Sequence, residues 1–174
     1  ALSISINYEL MIKNCTFKNN KAYNNGGALA LYQIRKIKII SCTFVENIAK
    51  YISSSSTDGL KQKGYGGAIY IKSSFYLFNS DKKIENCTFT LNSAFDGYAI
   101  YIEGDDDGKK FIIDKNIFNK NYDKGTNTFS KGVITSKILH IYNNKVIYSN
   151  KLIQNEENAY HLIQYTDKNG NIVI

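Results

Sequence analysis

Apolar and polar side chains alternate with a period of two in short runs along this chain, the pattern of strands that bury one face. Three kinds of run recur in order. One is Leu10 to Ile12, matched by Ile37 to Ile39, Lys82 to Ile84, Phe111 to Ile113 and, less cleanly, Ile138 to Tyr142. The second surrounds Cys-Thr-Phe at Cys15, Cys42 and Cys87. The third is Leu29-Ala30-Leu31, Ile69-Tyr70-Ile71 and Ile100-Tyr101-Ile102, preceded by Leu2-Ser3-Ile4. In this third run the aliphatics hold one register, which predicts an inward face. Ser3, Ala30, Tyr70, Tyr101 and Thr135 hold the other, which predicts an outer stripe.

The runs are stitched together by a phrase that returns roughly every 30 residues, an interval that signals stacked repeats. Its first half sets an aromatic three positions before an asparagine: Phe17 and Asn20, Phe44 and Asn47, Phe89 and Asn92, Phe118 and Asn121, and weakly Ile147 and Asn150. Its second half is Gly26-Gly27-Ala28-Leu29 and Gly66-Gly67-Ala68-Ile69, then the eroded Gly97-Tyr98-Ala99-Ile100 and Lys131-Gly132-Val133-Ile134. Aligning the alanines puts Ala1, Ala28, Ala68, Ala99 and Val133 in one column, with a weaker sixth place near His161. The expectation is a single all-β solenoid over 1–174 of about five to six turns, open at both ends and part of a longer stack. Excess length leaves as loops near 50–64, 104–109 and 123–129.

Stacking assigns structural roles to the repeated residues. The asparagines suit left-handed turns, and their amides can bond to the next turn. The paired glycines predict a tight turn or a close backbone approach. No Lys-Ser/Thr follows them, so they do not form a phosphate cradle of the P-loop kind. Cys15, Cys42 and Cys87 fall at one place in three consecutive repeats, which predicts a column of buried free thiols, with one bridge between adjacent turns as the alternative.

Composition narrows the function classes. The net charge is +7, but the lysines are spread along the chain and there is one arginine, Arg35, which argues against a nucleic-acid partner. No stretch is long and apolar enough for a transmembrane helix, and the first residues lack a signal-peptide pattern. No cofactor is expected.

The phrases Phe-x-x-Asn and Gly-Gly-Ala-Ile/Leu resemble the repeats of polymorphic outer-membrane proteins, large surface-exposed adhesins. The resemblance covers nearly the whole chain through Phe17, Phe44, Phe89, Phe118, the five asparagines and the glycines and alanines at 26–28 and 66–68. It implies a right-handed parallel β-helix. The chain departs from that family in having no membrane barrel and in eroding both motifs after residue 97.

The expected function is therefore a non-catalytic structural and adhesive segment of an extracellular or cell-surface protein, a rigid spacer and interaction surface for protein or glycan partners. One alternative is a carbohydrate-active lyase or glycoside hydrolase, with Glu103 and Asp105-Asp106-Asp107, then Lys109 and Lys110, as its local candidates. The same aspartates are a weak calcium candidate against the plainer reading of a solvated loop. His140 and His161 fall in different turns with no evident partner. The other alternative is a subunit of a filament whose open ends pair with neighbouring copies. Tyr70 and Tyr101 are a candidate binding surface. Asn14-Cys15-Thr16 and Asn86-Cys87-Thr88 are N-glycosylation sequons.

Overall fold

The computed structural model describes residues 1–50, 64–72, 82–95, 97–103 and 111–123, and beyond these short backbone segments at 133–135, 140–142, 145–148, 151–154, 165–166 and 172–173. The period-two runs are strands, and each strand pairs in parallel with its counterpart in the next turn. A first sheet has eight strands, a second has six and a third has four.

The first sheet merges two of the predicted runs. Leu2–Lys13 and Leu29–Ile40 are continuous 12-residue strands paired along their length. From the third turn the strand divides into Ile69–Lys72 and Lys82–Glu85, then Ile100–Glu103 and Phe111–Asp114. Tyr32 aligns with Lys72, so the division falls where the unbroken strand carries Gln33 at a φ of 55°. The long strand bends at the point where later turns insert chain. The loop residues 51–63, 104–109 and 124–129 lie outside the described residues.

The second sheet holds Thr16–Lys18, Thr43–Val45, Thr88–Thr90 and Ile117–Asn119, aligned so that Phe17, Phe44, Phe89 and Phe118 form one column. The rings lie nearly parallel, with centroids 5.0, 4.9 and 5.0 Å apart. Strand spacing of about 4.8 Å sets that separation, and it is within the favoured range for stacked aromatics. The third sheet was not foreseen. It consists of the two-residue strands Lys21–Ala22, Ile48–Ala49, Ser93–Ala94 and Tyr122–Asp123, which follow each ladder asparagine.

Corners between sheets use left-handed residues in columns. Asn14, Ser41, Asn86 and Lys115 have φ of 53–55°, and Asn19, Glu46, Leu91 and Lys120 have φ of 49–57°. This corrects one expectation: the left-handed residue is the one before each ladder asparagine. The paired glycines divide two tasks. Gly26 takes a φ of 67°, while a Cβ on Gly27 would stand 2.0 Å from the carbonyl oxygen of Gly67 in the next turn.

The aliphatic register is inward as expected: Leu29, Leu31, Ile69, Ile71, Ile84, Ile100 and Ile113 are buried with the phenylalanine column. One position departs from the pattern, since Lys82 lies in register between Ile37 and Phe111 and is only 1% exposed. The fifth turn departs from the alignment by one residue. Val133 pairs with Ile100 and Thr135 with Ile102, so Thr135 joins the aliphatic column and Ile134 takes the outer register. Beyond Tyr148 the described strands pair antiparallel, Lys145–Tyr148 with Lys151–Gln154 and Tyr165–Thr166 with Ile172–Val173. No sixth parallel turn occurs among the described residues, and Asn150 and His161 fall outside them.

Candidate contact surface

Inside the coil the asparagine column is a fully paired ladder. Oδ1 of Asn92 accepts both the backbone N–H (3.0 Å) and the Nδ2–H (2.9 Å) of Asn47. Its own Nδ2 donates to Oδ1 of Asn121 (2.9 Å) and to the carbonyl of Phe44 (3.0 Å). Asn20, Asn47 and Asn121 continue the pattern. With every donor and acceptor of Asn92 used, nothing of its amide is left to hold a ligand.

The cysteine column is a second ladder of the same design. Cys42 N–H donates to Sγ of Cys87 (3.4 Å), and that thiol reaches the carbonyls of Glu85 (3.2 Å) and Ile39 (3.6 Å). The next turn substitutes an amide for the thiol. Oδ1 of Asn116 accepts Cys87 N–H at 2.8 Å, and its Nδ2 donates to Ile84 O at 3.0 Å. All three thiols are free, and Cys42 and Cys87 are buried. Cys15 is exposed, contrary to the expected buried column, because among the described residues Thr16–Lys18 is the edge strand of its sheet. The neighbouring Cys42 thiol, reinforced by burial, pushes the Cys87 thiol well above the ordinary range, against the opposing pull of the Cys42 N–H.

The external feature that remains is aromatic, on the outer face of the first sheet. Tyr70 and Tyr101 align in adjacent turns with rings stacked at 5.9 Å. Tyr32 leans on Tyr70 at 5.7 Å, Tyr65 on Tyr101 at 4.6 Å, and Phe95 meets Tyr65 edge-on at 6.4 Å. The stripe differs from expectation in depth. Tyr70 is 2% exposed, whereas Tyr32, Tyr65, Phe95 and Tyr101 are half-buried and form the accessible part.

A polar clasp closes one edge. The Tyr70 hydroxyl donates to Oε2 of Glu103, and Lys72 Nζ lies 3.0 Å from Oε1. Burial first, then the hydrogen bond with Glu103, holds Tyr70 neutral far above the ordinary phenol range. The Tyr70 hydrogen bond, with Lys72 beside it, keeps the Glu103 carboxyl below its usual range. Tyr65 and Phe95 were missed in the sequence because each lies in a connection and carries no repeat signal. The pairing of Lys72 with Glu103 could have been found, since each follows an Ile-Tyr-Ile run by one residue.

Asp105, Asp106 and Asp107, with Lys109 and Lys110, are outside the described residues. Among the described residues no three His, Cys, Asp or Glu side chains come together to hold a metal, and no helix is long and apolar enough to cross a membrane. His140 aligns with Ile112 on the first sheet. Asn14 and Asn86 are exposed at one corner.

Stacked parallel sheets, an amide ladder and a phenylalanine ladder define a parallel β-helix protein. The family model described as a right handed beta helix region matches residues 1–146, and the chain belongs to that family. The match ends where the parallel pairing gives way to the antiparallel strand Lys151–Gln154. No curated protein and no solved structure gives a match.

Proposed function

We propose that this β-helix is a non-catalytic spacer and adhesion segment of an extracellular or cell-surface protein, and that the face built by Tyr32, Tyr65, Phe95 and Tyr101 is where it holds a glycan. The carrying observation is the aromatic cluster itself. Four half-buried rings run in a connected row through Tyr70, from Tyr32 to Tyr101, Tyr65 and Phe95, and a Lys72–Glu103 pair beside them supplies a donor and an acceptor for sugar hydroxyls. Rings fixed by stacking lose little freedom on binding, which favours rigid aromatic anchors at a contact face.

The likeness of the repeats to those of polymorphic outer-membrane adhesins supports the surface role. The state of Glu103 favours binding over hydrolysis, because Tyr70 and Lys72 hold its carboxyl as the ionised form, which cannot protonate a leaving group, while its remaining lone pairs can still accept from sugar hydroxyls. Co-sedimentation with insoluble polysaccharides, followed by a reducing-end and unsaturated-product assay on the same samples, tests the reading. Retention without new ends is expected. Release of new reducing ends or unsaturated products would move the assignment to a hydrolase or lyase.

A further inference from the structure

We propose that Asn14 and Asn86 carry N-linked glycans, arranged as a row along one corner of the coil. Four residues occupy this corner in register, Asn14, Ser41, Asn86 and Lys115, all left-handed with φ of 53–55° and all exposed. The serine and the lysine show that the backbone here does not demand asparagine. Where asparagine occurs, it comes with a threonine two positions on, Thr16 or Thr88, which completes the acceptor sequence. The intervening turn keeps Cys42 and Thr43 but has Ser41, and the fourth turn has Lys115-Asn116-Ile117. Acceptors therefore alternate with non-acceptors.

The spacing suits a bulky modification. Neighbouring turns are about 4.8 Å apart, so the two acceptors stand on the order of 10 Å from each other with a small Ser41 between them. Their side chains also differ from the ladder asparagines. The amides of Asn47, Asn92 and Asn121 are tied into the coil, while those of Asn14 and Asn86 make no hydrogen bond to any described residue and leave at the corner. A glycan there displaces nothing. In the second turn this corner column is Ser41, just past the end of the long strand Leu29–Ile40, and the column shared by Tyr70 and Tyr101 is Ala30, near its start. The aromatic face is left uncovered.

The chemistry is transfer of an oligosaccharide from a polyprenyl diphosphate donor. The asparagine nitrogen bonds to the anomeric carbon, the carbon–oxygen bond to the diphosphate breaks, the amide gives up one proton, and the lipid diphosphate leaves. Transfer precedes folding, before strand pairing encloses Cys87.

Peptide mapping of native protein, deglycosylated enzymatically in heavy-oxygen water, should find labelled aspartate at positions 14 and 86. Unmodified asparagine at both would overturn the proposal. Secreted from a eukaryotic cell, Thr16→Ala and Thr88→Ala should each lose one glycan, while Thr16→Ser and Thr88→Ser keep it. Two glycans retained in either alanine variant, or none on the parent chain, would equally overturn it. The outcome is separate from glycan binding at the aromatic face, which is measured on bare protein.

Discussion

The side-chain amide of Asn92 donates to Oδ1 of Asn121 in the next turn at 2.9 Å, and the backbone N–H of Asn92 reaches that same oxygen at 2.9 Å. One buried acceptor thus holds two donors, and the unit repeats from Asn20 to Asn121. Asn92→Ala would orphan the backbone N–H of Asn47 and one of its two Nδ2 hydrogens, the other staying on Phe17 O, and would remove one bond each from Phe44 O and Asn121 Oδ1. Each orphaned buried group costs about 1–3 kcal/mol, so urea unfolding should show a loss of about 3 kcal/mol or more. Asn20→Ala, at a half-exposed position, should cost less than half as much. Equal losses would mean that the ladder does not act through burial.

Thiol reactivity should divide the cysteine column. Cys15 is exposed and should react with an aromatic disulfide reagent in the native state, while Cys42 and Cys87 react only on unfolding. Three equivalent rates would contradict the stacking.

Because Asn116 makes the contacts that Cys87 makes one turn earlier, Cys87→Asn should be tolerated within about 1 kcal/mol. Cys87→Leu removes the same acceptor and adds volume to a buried site, so its urea midpoint should fall well below that of Cys87→Asn.

Gly27→Ala tests the close approach of turns. A methyl group there meets backbone atoms 2.0 Å and 2.6 Å away in neighbouring strands, which cannot retreat without opening the pairing. A loss of about 2 kcal/mol or more in urea unfolding is expected.

Alkaline titration tests the clasp. Tyr70 has its pKa raised in the folded state, so the stability it contributes is complete below the unfolded phenol value of about 10 and is lost as pH rises above it. Glu103 has the opposite sign. Its lowered pKa gives stability above the unfolded carboxyl value of about 4.3, lost on acidification through the folded value. Tyrosinate absorbance should show the Tyr70 phenol ionising only with unfolding, and Tyr70→Phe should reduce the amplitude of that late phase.

The coil was legible in the sequence because stacking repeats the same physical demand at each turn. Phe44, Asn47 and Gly27 each answer a need that recurs, so each left a periodic mark. What the sequence hid was whatever occurs once or changes residue type. Asn116 takes over from Cys87 with a different side chain and the same bonds. Tyr65 and Phe95 reach the aromatic cluster from connections, where register carries no information. The outward register of Tyr70 was visible, but its burial depends on Tyr32 and Tyr101 lying over it. The merger of two runs into Leu29–Ile40 depends on a left-handed Gln33, a residue type that does not announce that geometry. The end of the parallel stack turns on the reversal at Lys151–Gln154, where the alternation is the same as in a parallel strand.

Calorimetric titration of neutral hexose oligosaccharides into the parent chain, Tyr101→Phe and Tyr101→Ala tests the contact face most directly. Parent and Tyr101→Phe should bind alike, with Tyr101→Ala at least about tenfold weaker, or about 1.4 kcal/mol, all measured where each variant is fully folded. No heat of binding in the parent, or equal affinity in all three, would contradict the account.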